Sequence, residues 1–166
     1  MKAVLDLPAA HIRALEVILG RIPAQEVLWV LTGSAGLRLQ GVDIPVNDLD
    51  LQGDAESVYI IEQRLVEFVH TPVHTWESER THSLDGRAEM EGVEVELIGD
   101  IAKRGADGEW GPATDLRRRI FIDWRGMNVP VLPLEIEAEA YSAMGRVEKA
   151  GIIRAAIKPD EDGQRE

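Results

Sequence analysis

Apolar positions along the chain follow two rhythms. After Pro8, the positions Ile12, Leu15, Val17, Ile18 and Leu19 recur at helical spacing until Gly20, which predicts an opening helix. Val27 to Leu31 is a short apolar run rich in strand formers, and predicts a buried strand. Thr32-Gly33-Ser34-Ala35-Gly36 breaks it, Leu37 and Leu39 suggest a short helix, and residues 40–47, with Gly41 and Pro45, read as a loop. Asp48-Leu49-Asp50-Leu51 alternates with the period of a strand. Asp54 then suits the N-cap of a helix over 55–70, with Val58, Ile61, Leu65 and Phe68 on one face and Pro72 as its stop.

The second half is richer in strands. Val73 to Trp76 reads as one. Residues 81–100 read as a hairpin turning at Glu91-Gly92, with Val93 to Ile98 as the returning strand. Residues 103–114 are turn-forming and predict an exposed loop. A second hairpin pairs 119–124 with 129–132 around Gly126-Met127-Asn128, and residues 135–157 are helical with a break near Gly145 or Gly151. The order predicts an α/β (α+β) fold: a small mixed sheet, helices packed on one face, and C-terminal helices. The expectation is one domain over 1–158 and a flexible polar tail over 159–166.

Composition narrows the function classes. Of 166 residues, 45% are hydrophobic and 29% charged, which is ordinary for a globular protein. The net charge is −12, from 18 basic and 30 acidic residues, so general nucleic-acid binding through phosphate contacts is not expected. There is no cysteine, which excludes disulfides, thiolate metal sites and cysteine nucleophiles. The uncharged run 27–37 is far short of the roughly 18 apolar residues that span a bilayer. The expectation is a cytoplasmic protein with no membrane partner.

The chemistry concentrates in two segments. Asp48 and Asp50, two apart on a strand, project to one side about 7 Å from each other. Such carboxylates repel unless a cation lies between them, and Mg²⁺ favours one or two carboxylates together with phosphate oxygens. Gly33-Ser34, leaving the first strand and opening a helix, presents unpaired backbone N–H groups and a hydroxyl to a phosphate. Glu94 and Glu96 share the polar face of the 93–98 strand, and either can supply a third acid. Three carboxylates could hold two Mg²⁺ ions, and the third could accept a proton from an attacking hydroxyl.

Thr32-Gly33-Ser34, Asn47-Asp48-Leu49-Asp50-Leu51 and Val95-Glu96-Leu97-Ile98 together resemble the signature of the DNA polymerase β-like nucleotidyltransferase superfamily. The C-terminal stretch from Val129 to Glu135, with Tyr141 and Gly145-Arg146, is similar to small bacterial members related to aminoglycoside and lincosamide nucleotidyltransferases. The resemblance implies that Gly33 and Ser34 hold nucleotide phosphates and that Asp48 and Asp50 bind Mg²⁺. It implies Glu96 as the third acid, although that residue is more usually Asp. The implied reaction is transfer of an NMP from a Mg-bound NTP, with ATP as the expected co-substrate, to a hydroxyl of an unidentified acceptor such as a small molecule. Two alternatives stay open: a toxin–antitoxin-type enzyme modifying a partner protein, and a catalytically weak nucleotide-binding protein. A homodimer is also compatible with the sequence.

Other polar residues have competing readings. Arg146 and Lys149, three apart on a helix face, suit phosphate contact or pairing with glutamates. Arg117-Arg118-Arg119 suits a solvated strand end, or a clamp on triphosphate or an acidic acceptor. His70 and His74 have zinc-pair spacing but flank Pro72. Trp29 reads as core, and Trp110 as a loop aromatic that is either exposed or stacked on a ligand.

Overall fold

The alternation at Leu49 and Leu51 builds the middle of the molecule. In a computed structural model that describes residues 4–164, with side chains through Ile157, both leucines are fully buried on strand β2 (Leu49–Gly53). β2 is antiparallel to β1 (Trp29–Thr32) and parallel to β5 (Val93–Lys103). Beyond β5 lie β4 (Thr81–Met90) and the edge strand β3 (Val69–Glu77), both antiparallel to their neighbours. Among the described residues this gives a mixed sheet in the order β1-β2-β5-β4-β3, with a separate hairpin of β6 (Ile120–Trp124) and β7 (Met127–Val131).

One face of the sheet is apolar because every second residue is. Leu49, Leu51, Val95, Leu97 and Ala88 form one buried cluster with Leu15 and Ile18 of helix α1 (Ala9–Arg21) and Val58 and Ile61 of α3 (Ala55–Arg64). Burying each large aliphatic side chain stabilises by about 1.5–3 kcal/mol. A second cluster joins Leu37 of α2 (Gly33–Leu39) to Ala138 and Tyr141 of α4 (Leu134–Ala143) and Ile153 of α5 (Val147–Gln164). The opposite, polar face of the sheet lies under α4 and carries the site described below.

Three boundaries differ from those expected. The helix after Asp54 stops at Arg64, not at 70; a 3₁₀ turn over Val66–Phe68 follows, and Val69 already starts β3. Pro72 therefore lies within an edge strand, where its missing N–H leaves no ladder bond unmade. The second hairpin turns at Arg125-Gly126, both in left-handed conformation, and not over Gly126-Met127-Asn128, so Met127 and Asn128 belong to β7. β5 runs on through Lys103. The N-cap at Asp54 accepts from the Ser57 N–H at 2.8 Å, the first hairpin turns at Glu91-Gly92, and the C-terminal helices part at Gly145, all as the sequence suggests. The tail expectation over 159–166 falls outside the residues described with side chains.

Candidate active site

Sheet register brings the acidic residues together. Thr32 lies opposite Asp50, Asp50 opposite Glu96, and Glu96 opposite Arg87, so four side chains form one row across β1, β2, β5 and β4. Gly33 has φ +67°, and a Cβ there would overlap the Asp50 carboxylate. The turn leaving β1 thus needs glycine both for its conformation and for its closeness to Asp50. Asp48 sits one residue before β2, half-buried. The same register separates the two glutamates: Glu96 adjoins Asp50, whereas Glu94 meets His70 Nε2 at 3.0 Å.

The row is electrostatically crowded. Burial and the neighbouring Asp48 push the Asp50 carboxyl up to about 6. Burial, Asp50 and Asp85 push Glu96 up to about 7, against the opposing pull of Arg87, whose Nη2 donates to Glu96 Oε2 at 3.0 Å. Asp85, on β4, is a further acid at this cluster, with its side chain only 15% exposed. Mutually repelling, desolvated carboxylates with oxygen-only donors fit a hard divalent cation in chemistry. As they stand, no three His, Asp or Glu side chains among the described residues are arranged to hold a metal ion, and Arg87 occupies one oxygen of Glu96.

Above the row, α4 buries a carboxylate that the sequence did not flag. Glu137 is 2% exposed, and its two oxygens share the single Thr32 hydroxyl, at 2.8 and 3.0 Å. Burial raises it to about 7, with Lys103 and Lys149 opposing and Asp50 reinforcing. Thr32 is the N-cap of α2, so Glu137 ties the C-terminal part of the chain to the glycine turn.

Two hollows flank Gly33. The acidic row floors a cavity of about 350 Å³ covered by Glu137, Tyr141 and Met144. A second, more open hollow of about 620 Å³ is lined by Ser34, Asn47, Arg146 and Lys149. Arg146 borders both. The Arg146 guanidinium and the Lys149 ammonium stand 5.2 and 4.8 Å from the Tyr141 ring centre, a cation–π arrangement that sets both cations at this boundary. Burial above all, with Glu137 and Asp50 and against Arg146, holds the Tyr141 hydroxyl well above the ordinary phenol range.

The remaining candidates resolve into structural roles. Arg117 pairs with Asp115 at 3.0 Å, and Arg119 donates to the carbonyls of Ala24, Val27 and Trp29; neither lines the two hollows, so the suggested triphosphate clamp is not formed. His74 turns to the Pro72 carbonyl and His70 to Glu94, so they make no zinc pair. Trp110 is half-buried, with Arg104 over its ring at 4.4 Å and His82 at its edge. Trp29 is fully buried and donates to the Ile22 carbonyl. Sequence reasoning missed Asp85, Arg87, Lys103 and Glu137. The alternation of Thr81, Ser83, Asp85 and Arg87 along β4 was the available signal for the first two.

Comparison with known proteins agrees with this architecture. The family model for aminoglycoside-2″-adenylyltransferase matches residues 14–154. A solved Thermotoga maritima structure described as a nucleotidyltransferase is 39% identical, with a TM-score of 0.81 over 93% of this chain and 97% of that one. Two further structures share the fold. ANT(2″)-Ia, solved with adenylyl-2″-tobramycin, has a TM-score of 0.52 at 14% identity, over 92% of this chain and 99% of that one. The lincosamide adenylyltransferase LnuA, solved with lincomycin, has a TM-score of 0.51 at 10% identity, over 89% and 99%. No curated protein sequence matches the chain. With its Gly-Ser turn, Asp-x-Asp strand and matched length, this chain belongs to the aminoglycoside-2″-adenylyltransferase family of nucleotidyltransferases.

Proposed function

We propose that the protein transfers an NMP from a Mg-bound NTP, such as ATP, to a hydroxyl of a small-molecule acceptor. The observation that carries this is the row Asp50–Glu96 beside the Gly33 turn, with two adjacent carboxyls raised to about 6 and 7. Asp48 and Asp50 would hold Mg²⁺, which supplies charge neutralisation on the phosphates when bound, with Glu96 as the third acid beside them. Ser34, Arg146 and Lys149 receive the triphosphate in the more open hollow. The acceptor enters the smaller cavity, which Glu96 lines.

In the transfer, the acceptor oxygen forms a bond to the α-phosphorus while the bond from that phosphorus to the pyrophosphate oxygen breaks. Glu96, next to Asp50 in the row, takes the proton from the attacking hydroxyl. Arg87 orients Glu96, Gly33 lets phosphate approach the backbone, and the Arg146–Lys149 pair steadies the leaving pyrophosphate.

Pyrophosphate release measured with ATP, Mg²⁺ and a broad panel of hydroxylated acceptors tests this. Acceptor-dependent release that disappears in Asp50→Asn supports transfer. Tight Mg·ATP binding with no release across the panel would reassign the protein as a nucleotide binder.

A further inference from the structure

The polar face of β2 runs through both halves of the site. Asn47, just before the strand, lines the more open hollow; Asp48 and Asp50 form the acidic pair; Gln52 lines the smaller cavity. Asp50 and Gln52 are two apart on one strand face, about 7 Å from each other. Gln52 therefore stands one strand repeat beyond the acids, on the side away from Asn47.

The Gln52 carboxamide is unanswered inside the protein. The residue is 7% exposed, and its cross-strand neighbours are Val30 and Ile98, whose side chains have no polar atom. Among the described residues the amide makes no hydrogen bond, yet neither of its polar atoms is sealed away, so both open onto the cavity. Buried side-chain polar atoms are bonded in the large majority of cases, and one left unbonded costs stability. Ser83 on β4 is in the same condition. It is 8% exposed, lies where β4 slips against β5 between His82 and Leu84, and turns an unbonded hydroxyl to the same cavity. Trp76, the cross-strand partner of Ser83, borders this space and is 45% exposed.

We infer that Gln52, Ser83 and Trp76 select the acceptor as a cyclic polyol: the indole takes one face of its ring, while the carboxamide and the hydroxyl bond a second hydroxyl beside the one that reacts. This rests on the nucleotidyl-transfer reading and names the residues and chemistry that would choose its acceptor. The hydroxyls of a polyol each donate and accept, as do a carboxamide and a serine. The faces of its ring carry C–H groups, which an indole can cover. The volume of about 350 Å³ is at the small end of ligand cavities and suits one ring. A site with buried polar groups made to bond a hydroxyl discriminates strongly against the analogue that lacks it.

The test is steady-state pyrophosphate release at saturating Mg·ATP, with cyclohexanol, trans-cyclohexane-1,2-diol, myo-inositol and tobramycin as acceptors. The diol or myo-inositol should exceed cyclohexanol at least tenfold in kcat/KM. Gln52→Leu should reduce that preference below twofold and Ser83→Ala should reduce it at least threefold, with Mg·ATP affinity within twofold of the parent. Trp76→Ala should raise KM for the preferred polyol fivefold or more. An amide held for a ligand is dispensable to folding, so ligand-free Gln52→Leu should melt at the parent's temperature or up to roughly 4 °C above it. A parent without preference for the extra hydroxyl overturns the inference, as does a preference that survives Gln52→Leu. An unchanged KM in Trp76→Ala, or a Gln52→Leu that folds but melts below the parent, does the same. Lost Mg·ATP affinity in Gln52→Leu places the residue at the nucleotide and also overturns it. Release with tobramycin but with no ring alcohol sinks the inference and leaves nucleotidyl transfer standing. Failure of the parent to bind Mg·ATP, or binding with no release from any probe, removes both. If Gln52→Leu does not fold, the parent's preference and Ser83→Ala decide the matter.

Discussion

Replacing Glu137 with Gln should make the free protein more stable at alkaline pH, even though it removes a buried native carboxylate. Glu137 is 2% exposed, and burial raises it from 4.5 to about 7. In the unfolded chain the same group ionises near 4.5. Folding therefore favours the protonated form. That contribution is fully present below pH 4.5 and is lost as the pH rises through 7. At about 1.4 kcal/mol per pH unit, holding Glu137 ionised at pH 8 costs roughly 3 kcal/mol. Gln carries no such penalty and keeps an oxygen that accepts from the Thr32 hydroxyl. The stability of Glu137→Gln relative to the parent should thus be near zero at pH 4.5 and climb to about 3 kcal/mol by pH 8. For a chain of this length that corresponds to a melting rise of about 6–12 °C. Urea unfolding of both proteins at half-unit pH steps measures it, without nucleotide or divalent metal. A difference that stays constant with pH, or a variant less stable at pH 8, would refute the assignment of Glu137 as a strained buried charge.

Gly33→Ala should weaken Mg·ATP binding at least tenfold in calorimetry and cost about 1–2 kcal/mol of stability, because φ +67° is unfavourable for alanine and its methyl displaces Asp50. Glu96→Gln should lower the rate of pyrophosphate release a hundredfold or more while leaving nucleotide affinity within a few-fold, the split expected when a base is removed. Arg119→Ala should destabilise by about 2 kcal/mol on chemical unfolding, since three carbonyls lose their donor, with no change in Mg·ATP affinity because Arg119 lines neither hollow.

How much of this was legible in the sequence depends on the range of the interaction involved. The polar–apolar alternation at 48–51 and 93–98 encodes local geometry directly, so both strands and the facing of their acids could be read there. The choice of Glu96 over Glu94 came from the resemblance and not from local geometry, because it is a matter of register between β2 and β5, set by the whole pattern of buried leucines and valines along both strands. Glu137 was hidden for a different reason. Glutamate is rarely buried, and nothing within α4 announces that Thr32, 105 positions away, supplies its hydrogen bond. The early end of α3 was misread because Leu65 and Phe68 fit helical spacing equally well, and Pro72 offered a more conspicuous stop than the 3₁₀ turn that precedes β3.

The outer strand β3 has a consequence for how the molecule behaves in a crowded solution. A bare sheet margin is a template on which a neighbouring copy can add a strand and start a growing stack. Here Pro72 offers no amide, the pairing slips on both sides of Thr71, and the amide of Val73 is already taken by the Glu62 carboxylate at 2.6 Å. The margin is silenced at its centre, so stacking of copies through this side is discouraged by the backbone itself rather than by surface charge alone.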